Sequence, residues 1–166
     1  MATNVKKELE LYEPMKKWLY QYLTGKFPGA QVQAIDAHAR SLDVYLEQAG
    51  ILSEYPQTVG LDIQIDVLGL VKKRHNTELY FIEAKKDPLD LHHLGQLWAY
   101  CKLCDPQEAF LLSSVGLGSL NKILNNLLRH DILEFGDGKL IKKMQVAKWD
   151  ISKSSIDYNT LVPKIS

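Results

Sequence analysis

The sequence predicts an α/β fold, a central mixed β-sheet flanked by helices. Three observations carry that expectation. Leu61 to Tyr100 holds two apolar runs rich in Ile, Val, Leu, Tyr and Phe around the polar tip Lys72-Lys73-Arg74-His75-Asn76-Thr77, a β-hairpin signature. Ala109-Phe110-Leu111-Leu112 is a short continuous apolar run of the kind found in buried strands. Around these lie stretches whose apolar residues recur at helical spacing. A strand–helix–strand step demands a parallel pair, whereas the hairpin is antiparallel, so the sheet has to be mixed.

Taken in order, Leu9 to Leu23 reads as a first helix, with Leu11, Met15, Trp18, Leu19 and Tyr22 on one stripe. Pro14 is tolerated only in a first turn, so the regular helix is expected to begin near Glu13. Gly25 and Pro28-Gly29 end it. Gln31 to His38 is expected as a strand with Val32, Ala34 and Ala37 inward, and His38 as a structural residue. Ser41 to Ala49 reads as a short helix with Ser41 as N-cap and Gly50 as its stop.

The hairpin follows, then a helix capped by Asp90 and running to about Leu103, with His92 and His93 on its surface. Gln107 to Ser113 is the buried strand, Leu120 to Leu128 a helix, Gly136-Asp137-Gly138 a turn, and Leu140 to Trp149 a final strand. The polar tail from Ser152 onward is expected to be less ordered. No repeat, low-complexity segment or linker interrupts residues 1–166, which predicts a single domain.

Composition excludes some classes of function. The 20 basic and 20 acidic residues balance, so a nucleic-acid partner would need local basic patches. No apolar run approaches the roughly 20 residues of a membrane span. The N-terminal MATNVKKELE has no apolar signal core. A cytoplasmic protein without a membrane partner is expected. Cys101 and Cys104 form a lone C-x-x-C inside a helical stretch, with no second pair to complete a zinc site. They read as packing residues of a reducing compartment.

The chemistry lies in the hairpin. Asp66 interrupts its first run, and Glu83 and Lys85 interrupt the end of its second. Strand alternation puts Glu83 and Lys85 on one face. If the tip turns around Arg74-His75, Asp66 lies opposite Glu83. If it turns around His75-Asn76, Asp66 lies opposite Lys85. Opposed Cβ atoms are about 4.5–5.5 Å apart, close enough for two carboxylates to share a cation. Carboxylate oxygens are hard ligands suited to Mg²⁺ or Mn²⁺. Lys85 beside them is suited to orienting a water or stabilising charge on a phosphate.

Asp66, a hairpin and then Glu83-x-Lys85 resembles the core of the PD-(D/E)xK nuclease superfamily, which includes type II restriction enzymes, archaeal Holliday-junction resolvases and the nuclease domains of bacterial recombination helicases. Ile65 stands where the motif's literal Pro would be. Gln96-Leu97-Trp98-Ala99-Tyr100 matches the Gln-x-x-x-Tyr helix of some branches. The resemblance spans roughly Glu8 to Ser114.

It implies a restriction-endonuclease-like core and a divalent-metal-dependent nuclease hydrolysing DNA. Asp66, Glu83 and the Ala84 carbonyl would be metal ligands, Lys85 would assist hydrolysis, and Gln96 would orient the phosphate or Lys85. It also implies an acid from the first helix, with Glu13 the candidate and Glu8 the alternative if that helix starts earlier. Lys72, Lys73 and Arg74 at the tip, with Lys86 and Tyr100, are the candidate nucleic-acid contacts. RNA as well as DNA, and both endo- and exonuclease modes, fit this reading, and a homodimer is expected by analogy alone. The alternative is a catalytically silent nuclease-fold module that binds nucleic acid or a protein.

Overall fold

A computed structural model describes residues 4–137 and 140–164 of the chain. Its centre is a six-stranded mixed sheet in the order β1-β2-β3-β4-β7-β8. The strands are β1 (Gln31–Asp36), β2 (Val67–Lys72), β3 (Thr77–Lys85), β4 (Glu108–Ser113), β7 (Gln145–Asp150) and β8 (Ser155–Val162), with β5 (Glu134–Asp137) and β6 (Leu140–Lys143) pairing as a separate ribbon. β3, β4 and β7 run parallel and the outer pairs antiparallel. The α/β class and the mixed sheet are therefore observed.

Helices cover both faces. On one lies α1 (Tyr12–Lys26), preceded by a 3-10 turn over Glu8–Leu11. Pro14 falls at the third residue of α1, within the first turn, where the missing N–H has no partner to lose. Leu11, Met15, Leu19 and Leu23 bury against Val67, Val71, Ile82 and Leu112. Trp18 meets Phe110 edge-on at 5.4 Å. α1 lies close on the sheet because Gly69 is beneath it, where a Cβ would come within 2.8 Å of Leu23 Cδ1.

The other face carries α2 (Leu42–Gln48) and α3 (Leu91–Cys104), packed on Leu68, Phe81, Leu111 and Val146. Cys101 and Cys104 are free thiols in this core, both pushed up in pKa by burial. No helix among the described residues is long and apolar enough to cross a membrane.

Three expectations are corrected at the C-terminal end. The segment from Ser152 is not a loose tail: β8 closes the sheet, with Ile156, Leu161 and Val162 buried. Leu140 to Trp149 is two strands, because the Met144 N–H leaves the ladder for the Leu133 carbonyl. Leu120 to Leu128 makes a single wide turn over Lys122–Asn126, with Leu127 N–H bonded back to Lys122. Leu128 then turns left-handed at φ 54°, so Leu127 and Leu128 face solvent. Gly136 and Asp137 belong to β5, and Gly138 of the expected turn lies outside the described residues.

Candidate active site

The hairpin turns around Arg74-His75, since Val67 pairs with Ile82, Lys72 with Thr77, and the Lys73 N–H bonds the Asn76 carbonyl. That register extends to Asp66 opposite Glu83. The ladder stops there because the side chains replace the backbone. Asp66 Oδ2 accepts the Ala84 N–H at 2.8 Å, and Glu83 Oε1 accepts the Asp66 N–H at 3.3 Å. On its other side the Asp66 carbonyl accepts the Ala37 N–H at 2.9 Å, which holds the loop against β1.

Lys85 is the third member. Its Nζ lies 4.0 Å from Glu83 Oε2 and 3.9 Å from Glu8 Oε1. Glu8 also accepts the Lys86 N–H through Oε2 at 3.3 Å. The acid that the first helical segment brings to the cluster is thus Glu8, on the 3-10 turn ahead of α1. Glu13 points elsewhere: it is exposed and paired with Lys16 at 3.1 Å.

The Lys85 carbonyl accepts the Ser114 N–H from the β4 side at 3.0 Å. By alternation the Ala84 N–H and carbonyl face the opposite edge, toward Asp66.

The electrostatics are those of a pair of acids held together out of water. Glu83 is only 6% exposed, and burial, then the neighbouring Asp66 charge, raise its pKa well above the ordinary carboxylate range. Burial pushes Asp66 up to about 6, opposed by the Ala84 N–H and Lys85 and reinforced by Glu8. Tyr12, buried at the start of α1, feels the same acids. Burial and the charges of Asp66, Glu8 and Glu83 hold that phenol protonated. The helical stripe did not single out Tyr12. Its position one turn of chain after Glu8 was the available signal.

The remaining candidates make no hydrogen bond to Asp66, Glu83 or Lys85 among the described residues. Gln96 and Tyr100 share one face of α3, but Gln96 is exposed and its amide donates to the Tyr100 hydroxyl at 3.4 Å. Among the described residues no hydrogen bond joins Gln96 to Lys85. Tyr100 packs half-buried against the α3 core.

The hairpin tip is at the far end of the strands, about 20 Å from Asp66 at 3.3 Å per residue. There Lys73 sits 3.7 Å above the Phe27 ring and 3.6 Å from Glu78, while Lys72 borders a cleft of about 400 Å³. Of the basic candidates, Lys86 alone adjoins the cluster.

Among the described residues no group of three or more His, Cys, Asp or Glu side chains is arranged to hold a metal ion. The pair Asp66 and Glu83, with a strand-edge carbonyl, still matches the donor set of Mg²⁺, which is commonly bound through one or two carboxylates with waters and substrate phosphate completing its shell. Two facing carboxyls, both raised in pKa by burial and Glu83 further by the Asp66 charge, are the kind of pair a bound cation would relieve. The chain matches no known family model, no curated protein and no solved structure.

Proposed function

We propose that the protein is a divalent-metal-dependent nuclease that hydrolyses DNA phosphodiester bonds, built on a restriction-endonuclease-like core. The observation that carries this reading is the facing of Asp66 and Glu83 across the open end of the hairpin, with Lys85 4.0 Å from Glu83. The mixed sheet, with the acids at the junction of its antiparallel and parallel parts, supports it.

Asp66 and Glu83, with the Ala84 carbonyl, would hold Mg²⁺ or Mn²⁺. Such an ion, when bound, lowers the pKa of water and neutralises charge on a phosphate. Glu83 and Glu8 hold the Lys85 ammonium at the edge of the site, where it orients the attacking water or stabilises the charge that develops on the phosphate. The free thiols of Cys101 and Cys104 fit a reducing, cytoplasmic setting.

A second reading, a non-cutting module that binds nucleic acid or protein, is favoured by one feature: the bonds from the Ala84 N–H to the Asp66 carboxylate and from the Asp66 N–H to the Glu83 carboxylate also serve to end the hairpin. Incubation with labelled linear, branched and single-stranded DNA, with and without Mn²⁺, separates the two. Metal-dependent cleavage of any of them supports the nuclease. Binding without cleavage under every condition supports the module.

A further inference from the structure

We propose that Lys148 binds the phosphate next to the scissile one in a bound nucleic-acid strand, an inference that rests on the nuclease reading of Asp66, Glu83 and Lys85. Register carries it. Lys85 of β3 pairs with Ser113 of β4, and Ser113 pairs with Lys148 of β7, both in parallel ladders. Paired residues of neighbouring strands point to the same face, so Lys85, Ser113 and Lys148 form one row at the C-terminal ends of three parallel strands. With strands about 4.8 Å apart, the Cα atoms of the two lysines are about 10 Å apart. Ser113 between them is fully buried, its hydroxyl donating to the Asp87 carbonyl at 2.7 Å. The row is thus uncharged between the two ammonium groups, and beyond Lys148 it continues to Asp157 of β8, its cross-strand partner.

Lys148 also lines a cleft of about 380 Å³ with Asn4, Ser114, Asp150 and Asp157. One wall of this cleft is bonded to the end of β3. The Ser114 N–H donates to the Lys85 carbonyl at 3.0 Å, the Asn4 amide donates to the Lys86 carbonyl at 2.9 Å, and the Ser114 hydroxyl donates to Asn4 Oδ1 at 2.6 Å. The cleft begins where the strand bearing Glu83 and Lys85 ends. Carboxyl ends of parallel strands are where open α/β sheets bind their ligands.

The acids in the cleft have their own partners. Asp150 Oδ1 accepts from the Ser152 hydroxyl and the Lys153 N–H, and Asp157 Oδ1 accepts from the Asn159 N–H. Lys148 makes no side-chain hydrogen bond or ion pair among the described residues, while its backbone N–H is fixed by the Thr160 hydroxyl at 2.8 Å. Lys148 is thus held by its backbone at the cleft, and among the described residues its side chain has no ion-pair partner to displace.

The test compares wild type, Lys148→Ala and Lys148→Arg. Binding of a fluorescent duplex is followed by anisotropy without metal, between about 50 and 200 mM salt. Lys148→Ala is expected to bind several-fold more weakly and to lose about 0.9 from the slope of log affinity against log salt, with Lys148→Arg restoring both. With Mn²⁺, Lys148→Ala should raise KM for DNA at nearly unchanged kcat. It should leave hydrolysis of bis(p-nitrophenyl) phosphate, which has a single phosphate, as in wild type.

An unchanged salt slope in Lys148→Ala overturns the proposal, as does equal loss of activity on the one-phosphate substrate. A wild type that binds DNA yet cuts neither substrate overturns the nuclease reading instead, and the slope then decides alone whether Lys148 binds phosphate.

Discussion

Asp66 and Glu83 face each other across the end of the hairpin, the Glu83 carboxylate accepting the Asp66 N–H at 3.3 Å and the Asp66 carboxylate accepting the N–H of Ala84, next after Glu83, at 2.8 Å. The same geometry that ends the ladder brings two acids face to face with Lys85 beside them. Strand termination and the candidate chemistry are therefore one feature, and changes at either acid test both.

Glu83→Gln is expected to raise stability without metal while abolishing cleavage. It keeps the shape and an oxygen for the Asp66 N–H, and it removes a carboxyl whose charged form burial and the Asp66 charge both disfavour. Relief of this kind is commonly worth about 0.5–2 kcal/mol. For a chain of this size that is a rise of very roughly 1–8 °C in Tm. Added Mn²⁺ should stabilise the wild type through linkage and the variant much less. Thermal melts with and without Mn²⁺ check this. A large fall in Tm for the variant would mark Glu83 as a structural ion-pair partner.

The metal-free protein should lose stability as pH rises from about 4 to above 6. Asp66 and Glu83 have folded-state pKa values above their unfolded ones, so the folded state binds more protons in that window and its stability falls as pH increases. For Asp66 alone the loss is on the order of 2–3 kcal/mol. Urea unfolding at a series of pH values, compared with Asp66→Asn/Glu83→Gln, measures it. The double variant should show a flatter profile over the same range, and parallel profiles would contradict the raised pKa values.

Glu8→Gln and Glu13→Gln should separate. Glu8 faces Lys85 and the Lys86 N–H, whereas Glu13 is exposed with Lys16. Loss of the Glu8 charge is expected to weaken Mn²⁺ binding and slow cleavage by about tenfold or more, as for other partners that orient ligands. Glu13→Gln should change stability by less than about 0.5 kcal/mol and activity not at all. Calorimetric Mn²⁺ titration beside the nuclease assay decides between them.

A chain stopped at Ser152 should fail to fold stably. It would lose the buried Ile156, Leu161 and Val162, each worth about 1.5–3 kcal/mol, and expose the whole edge of β7. Soluble yield and circular dichroism of the truncated chain report the outcome. A folded, soluble product would show that β8 is dispensable.

The sequence made the hairpin legible because strand pairing has a strict period of two, and its two allowed registers both put Asp66 into the cluster. The turn at Arg74-His75 then selected the one with Asp66 opposite Glu83. Glu8 and Glu13 could not be separated from spacing, because a 3-10 turn ahead of Pro14 rotates the chain in a way that helical periodicity does not encode.

The strand β8 was hidden by its composition. Asp157, Asn159 and Thr160 read as loop, and edge strands carry such polar residues on their open side. Ile156, Tyr158 and the run Leu161-Val162 were the usable signal. The stripe from Leu120 to Leu128 failed as a regular helix because the chain makes one wide turn over Lys122–Asn126 and then turns left-handed at Leu128.

The most direct test of the account is Mn²⁺-dependent nicking of supercoiled plasmid by wild type, Asp66→Asn, Glu83→Gln and Lys85→Met, each first verified as folded by its thermal melt. Wild type is expected to nick the plasmid only with metal and all three variants to fall to background, while Glu13→Gln keeps full activity. Wild type without metal-dependent cleavage, or any of the three variants cutting at the wild-type rate, would contradict the assignment of these residues as a metal-dependent phosphodiesterase centre.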